Sequence, residues 1–322
     1  MISFLLPKIY SYIKIGKKLL FFRLSQKAHI NFVKYFKIST IASLCFVVFS
    51  IGILCARGLN LSIDFTGGIL LECFENGGEG IAVEDMRTSV SKVIQHDFSV
   101  QAIQNQDTSK QGFLIKIGFD KNANSDAIAN QVKDTIIQSF PKTDIVFNKV
   151  DYVSPQIGSD MAFKALLAVL TSILAIVLYV AIRFDYKYAV GGTIALLHDA
   201  VLTLGFASLF SIPFDMSSVA AILTVLGYSI NDSVVIYDRI RGIYKKEPKI
   251  SRKNAINQGL NATLSRTTLT VVTVLLAVLA IILFGGSVIR SFAIITFFGV
   301  VVGTFSSIFI SASALLLFKE RK

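Results

Sequence analysis

The chain has 322 residues, of which 53% are hydrophobic, and a formal net charge of +11. This apolar share exceeds the roughly 45 to 50% of soluble domains, and several apolar runs reach bilayer length, so a soluble fold is excluded. In a soluble protein the positive balance would point to nucleic acid. Here Lys and Arg gather in particular loops, which makes the charge a statement about membrane orientation, and no nucleic-acid partner is expected.

Residues 1–37 carry Lys8, Lys14, Lys17, Lys18, Arg23, Lys27, Lys34 and Lys37 without an acid, interleaved with Phe, Leu, Ile and Tyr. This is the pattern of a basic segment lying on an anionic leaflet, with membrane lipid as its partner. Residues 38–57 form a full first span rather than the short apolar core of a cleaved signal peptide. Cys45 and Cys55 in that span and Cys73 beyond it have no CxxC spacing and no nearby histidine, so they are read as buried thiols and no metal is expected.

The apolar signal then stops for residues 58–160. Alternation predicts strands at Ile69–Phe74, Val100–Gln104, Phe113–Phe119 and Ile145–Tyr152, and helical periodicity predicts helices at Val83–Gln95 and Asp126–Phe140. The order β-α-β-β-α-β is that of a ferredoxin-like α+β domain. Five more spans follow at 161–183, 189–212, 215–237, 266–286 and 290–318. Between them 238–265 reads as a basic loop, and 319–322 as a short basic tail. Arg183, Lys187, the 238–265 stretch and the tail share one side, which places both termini in the cytoplasm and residues 58–160 in the periplasm. The expected fold is a polytopic α-helical membrane protein with six transmembrane helices and a ferredoxin-like domain between the first two.

Ionisable side chains inside spans cost at least about 2.5 to 3.5 kcal/mol on insertion scales, so each is a functional candidate. Four qualify: His198 and Asp199 in the third span, Asp232 late in the fourth, and Arg266 opening the fifth. At 1.5 Å per residue Asp232 lies roughly 22 to 24 Å, and Arg266 roughly 27 Å, from the outer ends of neighbouring helices. A carboxylate and a guanidinium at matching depth form a pair that protonation of the carboxylate would break. The same position also suits an Arg that merely snorkels to headgroups. His198 and Asp199 fit either a structural buried pair or a relay, and Asn231 offers amide groups that join a polar network or glue helices. Asp64-Phe65-Thr66-Gly67-Gly68, just past the first span, reads as a tight turn into a strand. Gly299 and Gly303 form a small-xxx-small pair for close helix contact.

Four blocks bear comparison with a known family: Asp64 to Gly68; Val153-Ser154-Pro155-Gln156-Ile157-Gly158; Ala195-Leu196-Leu197-His198-Asp199; and Gly227-Tyr228-Ser229-Ile230-Asn231-Asp232-Ser233-Val234-Val235, running on to Arg241. With Leu264-Ser265-Arg266-Thr267 they resemble the SecF family, the smaller membrane partners of SecD in the bacterial Sec protein-export machinery. The resemblance covers Asn31 to the C-terminus. It implies half of a resistance-nodulation-division (RND) type transporter in the inner membrane and a SecD partner. It also implies cooperation with the SecYEG translocon and its accessory subunits on a translocating preprotein. In that family a carboxylate and an arginine matching Asp232 and Arg266 are implicated in using the proton motive force for late stages of export. No organic cofactor is implied, the proton gradient supplies the energy, and sodium is the alternative ion. A GxxxxGK[ST] phosphate loop is absent from the sequence. An intramembrane enzyme is disfavoured because no nucleophile and base share a depth. The residues alone also admit a half-transporter for lipids or small molecules, or an assembly scaffold without ion coupling.

Overall fold

The computed structural model describes residues 30–76, 80–94, 98–104, 111–118 and 125–318. The basic stretch before residue 30 and the C-terminal tail lie outside the described residues. Among the described residues six helices are long and apolar enough to cross a membrane. They are α1 Phe32–Arg57, α5 Pro155–Arg183, α6 Tyr186–Leu209, α7 Met216–Lys246, α8 Arg252–Phe284, and α9 Ser287–Ser306, which continues to Leu317. Between α1 and α5 come a short helix α2 Ile63–Thr66, strands β1 Gly68–Glu75, β2 Phe98–Gln104, β3 Gln111–Gly118 and β4 Ile145–Val153, and helices α3 Val83–Ser91 and α4 Ser125–Ser139.

The sheet order is β2-β3-β1-β4, antiparallel throughout, as the ferredoxin-like arrangement requires. Alternation in β1 sends Ile69, Leu71 and Cys73 inward, where they meet Met86 and Val90 of α3 and Ala129, Val132 and Ile136 of α4. The last three recur at helical spacing, which gives α4 one buried stripe. Glu75 is also buried at the end of β1, and its Oε1 accepts the backbone N–H of Ile81 at 2.8 Å.

Several boundaries differ from the expectation, among them the second span, which begins at Pro155 instead of residue 161, and the first domain helix, which ends at Ser91. The first span begins at Phe32, and residues 238–265 are helical except for 247–251, so the basic stretch extends α7 and α8 beyond the apolar zone instead of forming a long loop. At 31 and 33 residues these helices run roughly 46 and 50 Å, well past a hydrocarbon core of about 30 Å. Their charged turns therefore stand clear of it, and hydropathy alone does not mark where such a helix ends.

Helices α6, α7 and α9 form the centre of the bundle, with 61%, 50% and 56% of their most apolar stretch buried, against 11% for each of α1, α5 and α8. Gly299 and Gly303 explain the close approach of α9 to α7: a Cβ at Gly299 would run into the Val225 side chain, and one at Gly303 would lie 3.0 Å from Ser229 Cβ. Helix α1 lies parallel to α6 along a seven-residue seam. Ser43 meets His198, Ser50 packs into the space left by Gly205, and the Arg57 guanidinium donates to the Leu209 carbonyl at 3.4 Å. The contacts on α1 recur every seven residues, at 43, 50 and 57, and those on α6 fall at 198, 205 and 209, steps of seven and four that keep one face of each helix on the seam. At the end of α1 remote from the sheet domain, α8 holds the chain: the Asn261 amide exchanges two hydrogen bonds with the Ile30 backbone at 2.9 and 2.8 Å, and Asn257 Oδ1 accepts from Phe32 N–H at 2.8 Å.

The Asp64 to Gly68 block is a junction. Residues 63–66 make one helical turn, and Gly67 and Gly68 follow with φ of 77° and 153°, conformations that side chains rarely adopt. A Cβ on Gly67 would lie 2.8 Å from Pro155 N, and one on Gly158 would lie 2.6 Å from the Phe65 carbonyl oxygen. The Val153 to Gly158 block therefore interlocks with it, backbone on backbone, while Ser154 caps α5 by accepting from Ile157 N–H. On the other flank the loop between α6 and α7 joins in. Ser62 N–H donates to the Phe214 carbonyl, Phe214 N–H donates to the Asn60 carbonyl, Phe65 packs on Phe214, and Asp64 Oδ2 accepts the Met216 N–H at the start of α7.

Two outcomes are expected from this packing. Gly67→Ala combines an unfavourable φ with a backbone collision, so it should destabilise the junction by about 1–3 kcal/mol, read as a lower thermal midpoint in detergent and faster proteolysis near residues 57–68. The Cys73 thiol, pushed up by burial from an ordinary 9.0 to about 12, stays protonated in the folded domain. It should resist a membrane-impermeant maleimide at pH 8 until the domain is unfolded. Because the unfolded thiol ionises near pH 9 and the folded one only near pH 12, domain stability should fall as pH rises through that window.

Candidate functional site

The buried stripe of α7 runs through Val219, Ile222, Leu226, Ser229, Asp232, Ile236 and Ile240, at intervals of three and four. Helical periodicity therefore turns Asp232 into the bundle instead of toward lipid. Asp232 is 4% exposed, and its Oδ2 has no hydrogen-bond partner among the described residues. A carboxylate oxygen so placed loses its water without a replacement donor.

Arg266 stands near enough for its charge to act on Asp232, but no ion pair joins them. The expected closed pair is thus open in this structure. The reason lies in α8, whose buried face runs through Gly259, Thr263, Thr267 and Val271; Arg266 falls to one side of it and is exposed. Nor does it open the fifth helix, which begins fourteen residues earlier at Arg252. Asn231, adjacent to Asp232 and about 100° around α7, is likewise exposed and takes no part in the buried network.

His198 and Asp199 are brought together with three residues that the sequence reading did not single out. Asp199 is fully buried. Its Oδ1 lies 2.9 Å from His198 Nδ1, and its Oδ2 accepts from the hydroxyls of Ser229 on α7 at 2.5 Å and Ser306 on α9 at 2.7 Å. His198 Nε2 is 2.5 Å from Ser43 Oγ on α1. In a neutral ring that keeps its proton on Nδ1 for the carboxylate, Nε2 accepts and Ser43 donates. The cluster thus takes two groups from α6 and one each from α1, α7 and α9. Serines are common in membrane helices, and only Ser306, three residues from Gly303 on α9, had a neighbouring glycine to hint that it faced inward.

Just beyond Ser306, residues Ser307–Ser311 form a π-helical turn. Ser311 Oγ donates to Tyr237 OH at 2.6 Å, and Gly191 is close enough that a Cβ would reach the Ser311 carbonyl at 2.9 Å. Such turns concentrate at functional sites in helices, and this one adjoins the Asp199 cluster.

Comparison with known proteins gives a consistent result. The family model described as protein export membrane protein SecD/SecF, C-terminal, matches residues 131–321, and the SecD/SecF GG motif matches residues 52–72, which contain the junction glycines. The protein translocase subunit SecF of Rickettsia rickettsii (strain Sheila Smith) is 40% identical over 301 residues, covering 93% of this chain and 95% of its own. That of Rickettsia akari (strain Hartford) is 41% identical over 269 residues, covering 82% and 83%. Among solved structures, that of SecDF, a translocon-associated membrane protein from Thermus thermophilus, superposes with a TM-score of 0.75 at 32% identity. It covers 91% of this chain, which spans only 39% of the SecDF chain. A super-membrane-facing form of SecDF gives a TM-score of 0.70 at the same identity. With a family model matched over more than half its length and relatives about 40% identical along nearly all of it, the chain belongs to the SecD/SecF family of protein-export membrane proteins.

Proposed function

We propose that this chain is one half of a proton-driven accessory unit of the Sec translocase. It would pair with SecD in the cytoplasmic membrane and assist the late stages of preprotein export alongside SecYEG. In this reading both termini are cytoplasmic and residues 58–160 are periplasmic, which agrees with the basic ends of α7 and α8 and with Arg183 and Lys187 on the same side. The chain is matched to 39% of SecDF, which supports a second protein supplying the remaining membrane helices. The exposed apolar faces of α1, α5 and α8, with Arg266 and Asn231 among the exposed side chains of α8 and α7, leave room for it.

The observation that carries the proton-driven reading is the Asp232 carboxylate, buried in α7 with one oxygen lacking a donor and with Arg266 nearby but unpaired. Such a group has two arrangements. Protonated, it is neutral and tolerates its apolar surroundings; ionised, it draws Arg266 inward from the flank of α8. Alternation between them shifts the packing of α8 against α7, and the gradient supplies the protons from one side.

Asp232→Asn keeps size and hydrogen-bonding capacity while removing the titration. The variant should insert normally and co-purify with SecD, and in inverted membrane vesicles it should lose at least tenfold of the gradient-dependent part of preprotein export. Export at the unaltered rate would overturn the assignment of Asp232. Replacing sodium by potassium in the same vesicles should leave export unchanged, whereas a loss would transfer the coupling to sodium.

A further inference from the structure

We propose that His198 and Asp199 form a second proton-holding site, separate from Asp232, whose state is read by α1 through the Ser43 hydroxyl. The geometry has three parts. First, the imidazole bridges a carboxylate and a hydroxyl, with Nδ1 2.9 Å from Asp199 Oδ1 and Nε2 2.5 Å from Ser43 Oγ. A neutral ring accepts from Ser43. A proton added at Nε2 makes both ring nitrogens donors, and the Ser43 hydroxyl reverses to become the acceptor, since a hydroxyl both donates and accepts. No bond other than this N–H is made, and the added charge is balanced in place by the Asp199 carboxylate.

Second, the carboxylate is prepared to remain the counter-ion. Its other oxygen is held by the Ser229 and Ser306 hydroxyls, and Ser306 has an alternative acceptor in the Gly303 carbonyl at 3.0 Å. The oxygens at this end touch at 2.5 and 2.7 Å, in hydrogen-bond contact. A hard cation that keeps its oxygens at about 2.3 to 2.6 Å must spread them apart, so the cluster as built suits a proton and not a metal ion.

Third, the surroundings bring no competing charge. Helix α1 presents Ser43 here, with Lys34, Lys37 and Arg57 toward its ends; α9 presents Ser306 and Gly303, with Arg290 near its start; α5, packed against α6, carries Asp160, Lys164 and Arg183 only toward its ends. From α7 come Ser229 and, one turn further, Asp232, the only other carboxylate at this level among the described residues. Within α1, Ser43 is the one described side chain in the middle of the span that hydrogen-bonds the bundle, because its other links lie at the two ends. Loading and unloading of His198 therefore switches the one mid-span polar contact, among the described residues, between the core and the helix that leads into the sheet domain.

The inference stands on this geometry and extends the proton-driven reading without depending on Asp232. The test uses the full chain with its SecD partner in lipid vesicles, labelled with ¹⁵N-histidine. The sequence has three histidines, and replacing His29 and His96 by Gln isolates the His198 signals. Nitrogen spectra from pH 5 to 9 should show the Nδ1–H tautomer at the alkaline end and imidazolium at the acid end. Ser43→Ala should weaken proton binding about tenfold, moving the midpoint by about one pH unit, and Ser43→Thr should restore it. A ring that stays neutral across the range, or a midpoint indifferent to Ser43→Ala, overturns the proposal. Neither result bears on Asp232: normal export by Asp232→Asn would defeat the reading above while leaving a titrating His198 intact.

Discussion

A carboxylate in the middle of a helix bundle must find donors, because water is absent and lipid offers none. Asp199 is the point at which this requirement organises the membrane region. Its donors come from α6, α7 and α9, so satisfying one side chain fixes the mutual position of the three most buried helices. Gly299 and Gly303 make the arrangement possible, since the Ser229 and Ser306 hydroxyls reach the same oxygen only if α7 and α9 approach almost backbone to backbone. The outer helices α1, α5 and α8 are then added around a centre already determined.

Asp232 and Asp199 lie within the same bundle and are treated oppositely. Asp199 has a donor for every oxygen, whereas Asp232 has an oxygen with none among the described residues and a nearby Arg266 that does not close on it. A fully satisfied carboxylate resists rearrangement, and a partly satisfied one gains from it. This contrast is why the proposed mobile step is assigned to α8, with the centre formed by α6, α7 and α9 as the frame against which it moves.

Much of this was legible in the sequence, for identifiable reasons. Six apolar runs and the strand and helix periodicities of the domain come from local pattern, and they produced the ferredoxin-like order that the sheet shows. Asp232, Asp199 and His198 stood out because charge inside a span is rare. The Ser43, Ser229 and Ser306 partners did not, because a serine in an apolar helix carries no signal until the facing helix is known. Arg266 was read either as a partner for Asp232 or as a snorkelling cation, because residue counts give depth along a helix but azimuth about α8 depends on which face the bundle buries. The Asp64 to Gly68 block was legible as a turn, but its interlock with Val153 to Gly158 joins segments about ninety residues apart and has no local signature.

The junction and the α1 seam together decide how the two halves of the molecule communicate. A glycine that excludes even a Cβ leaves backbone in contact with backbone, and such contacts do not deform by rotamer changes as side-chain packing does. The start of α5 and the lead into β1 are joined in this way at Gly67 and Gly158, and the loop before α7 is tied to the same segment by backbone hydrogen bonds of Phe214 with Asn60 and Ser62. A displacement of α5 or α7 is therefore delivered to the sheet domain instead of being absorbed at its base. Helix α1 reaches the same junction from the other direction. It is fixed by Asn257 and Asn261 of α8 at its start and by Ser208 and Leu209 in the last turn of α6 at its end, so among the described residues only the Ser43 hydroxyl meets the core from it in mid-membrane. The domain thus has two connections of different kind, a stiff one through α5 and the loop before α7 and a polar one through α1, and these are the two routes that the proposed changes in proton occupancy would use.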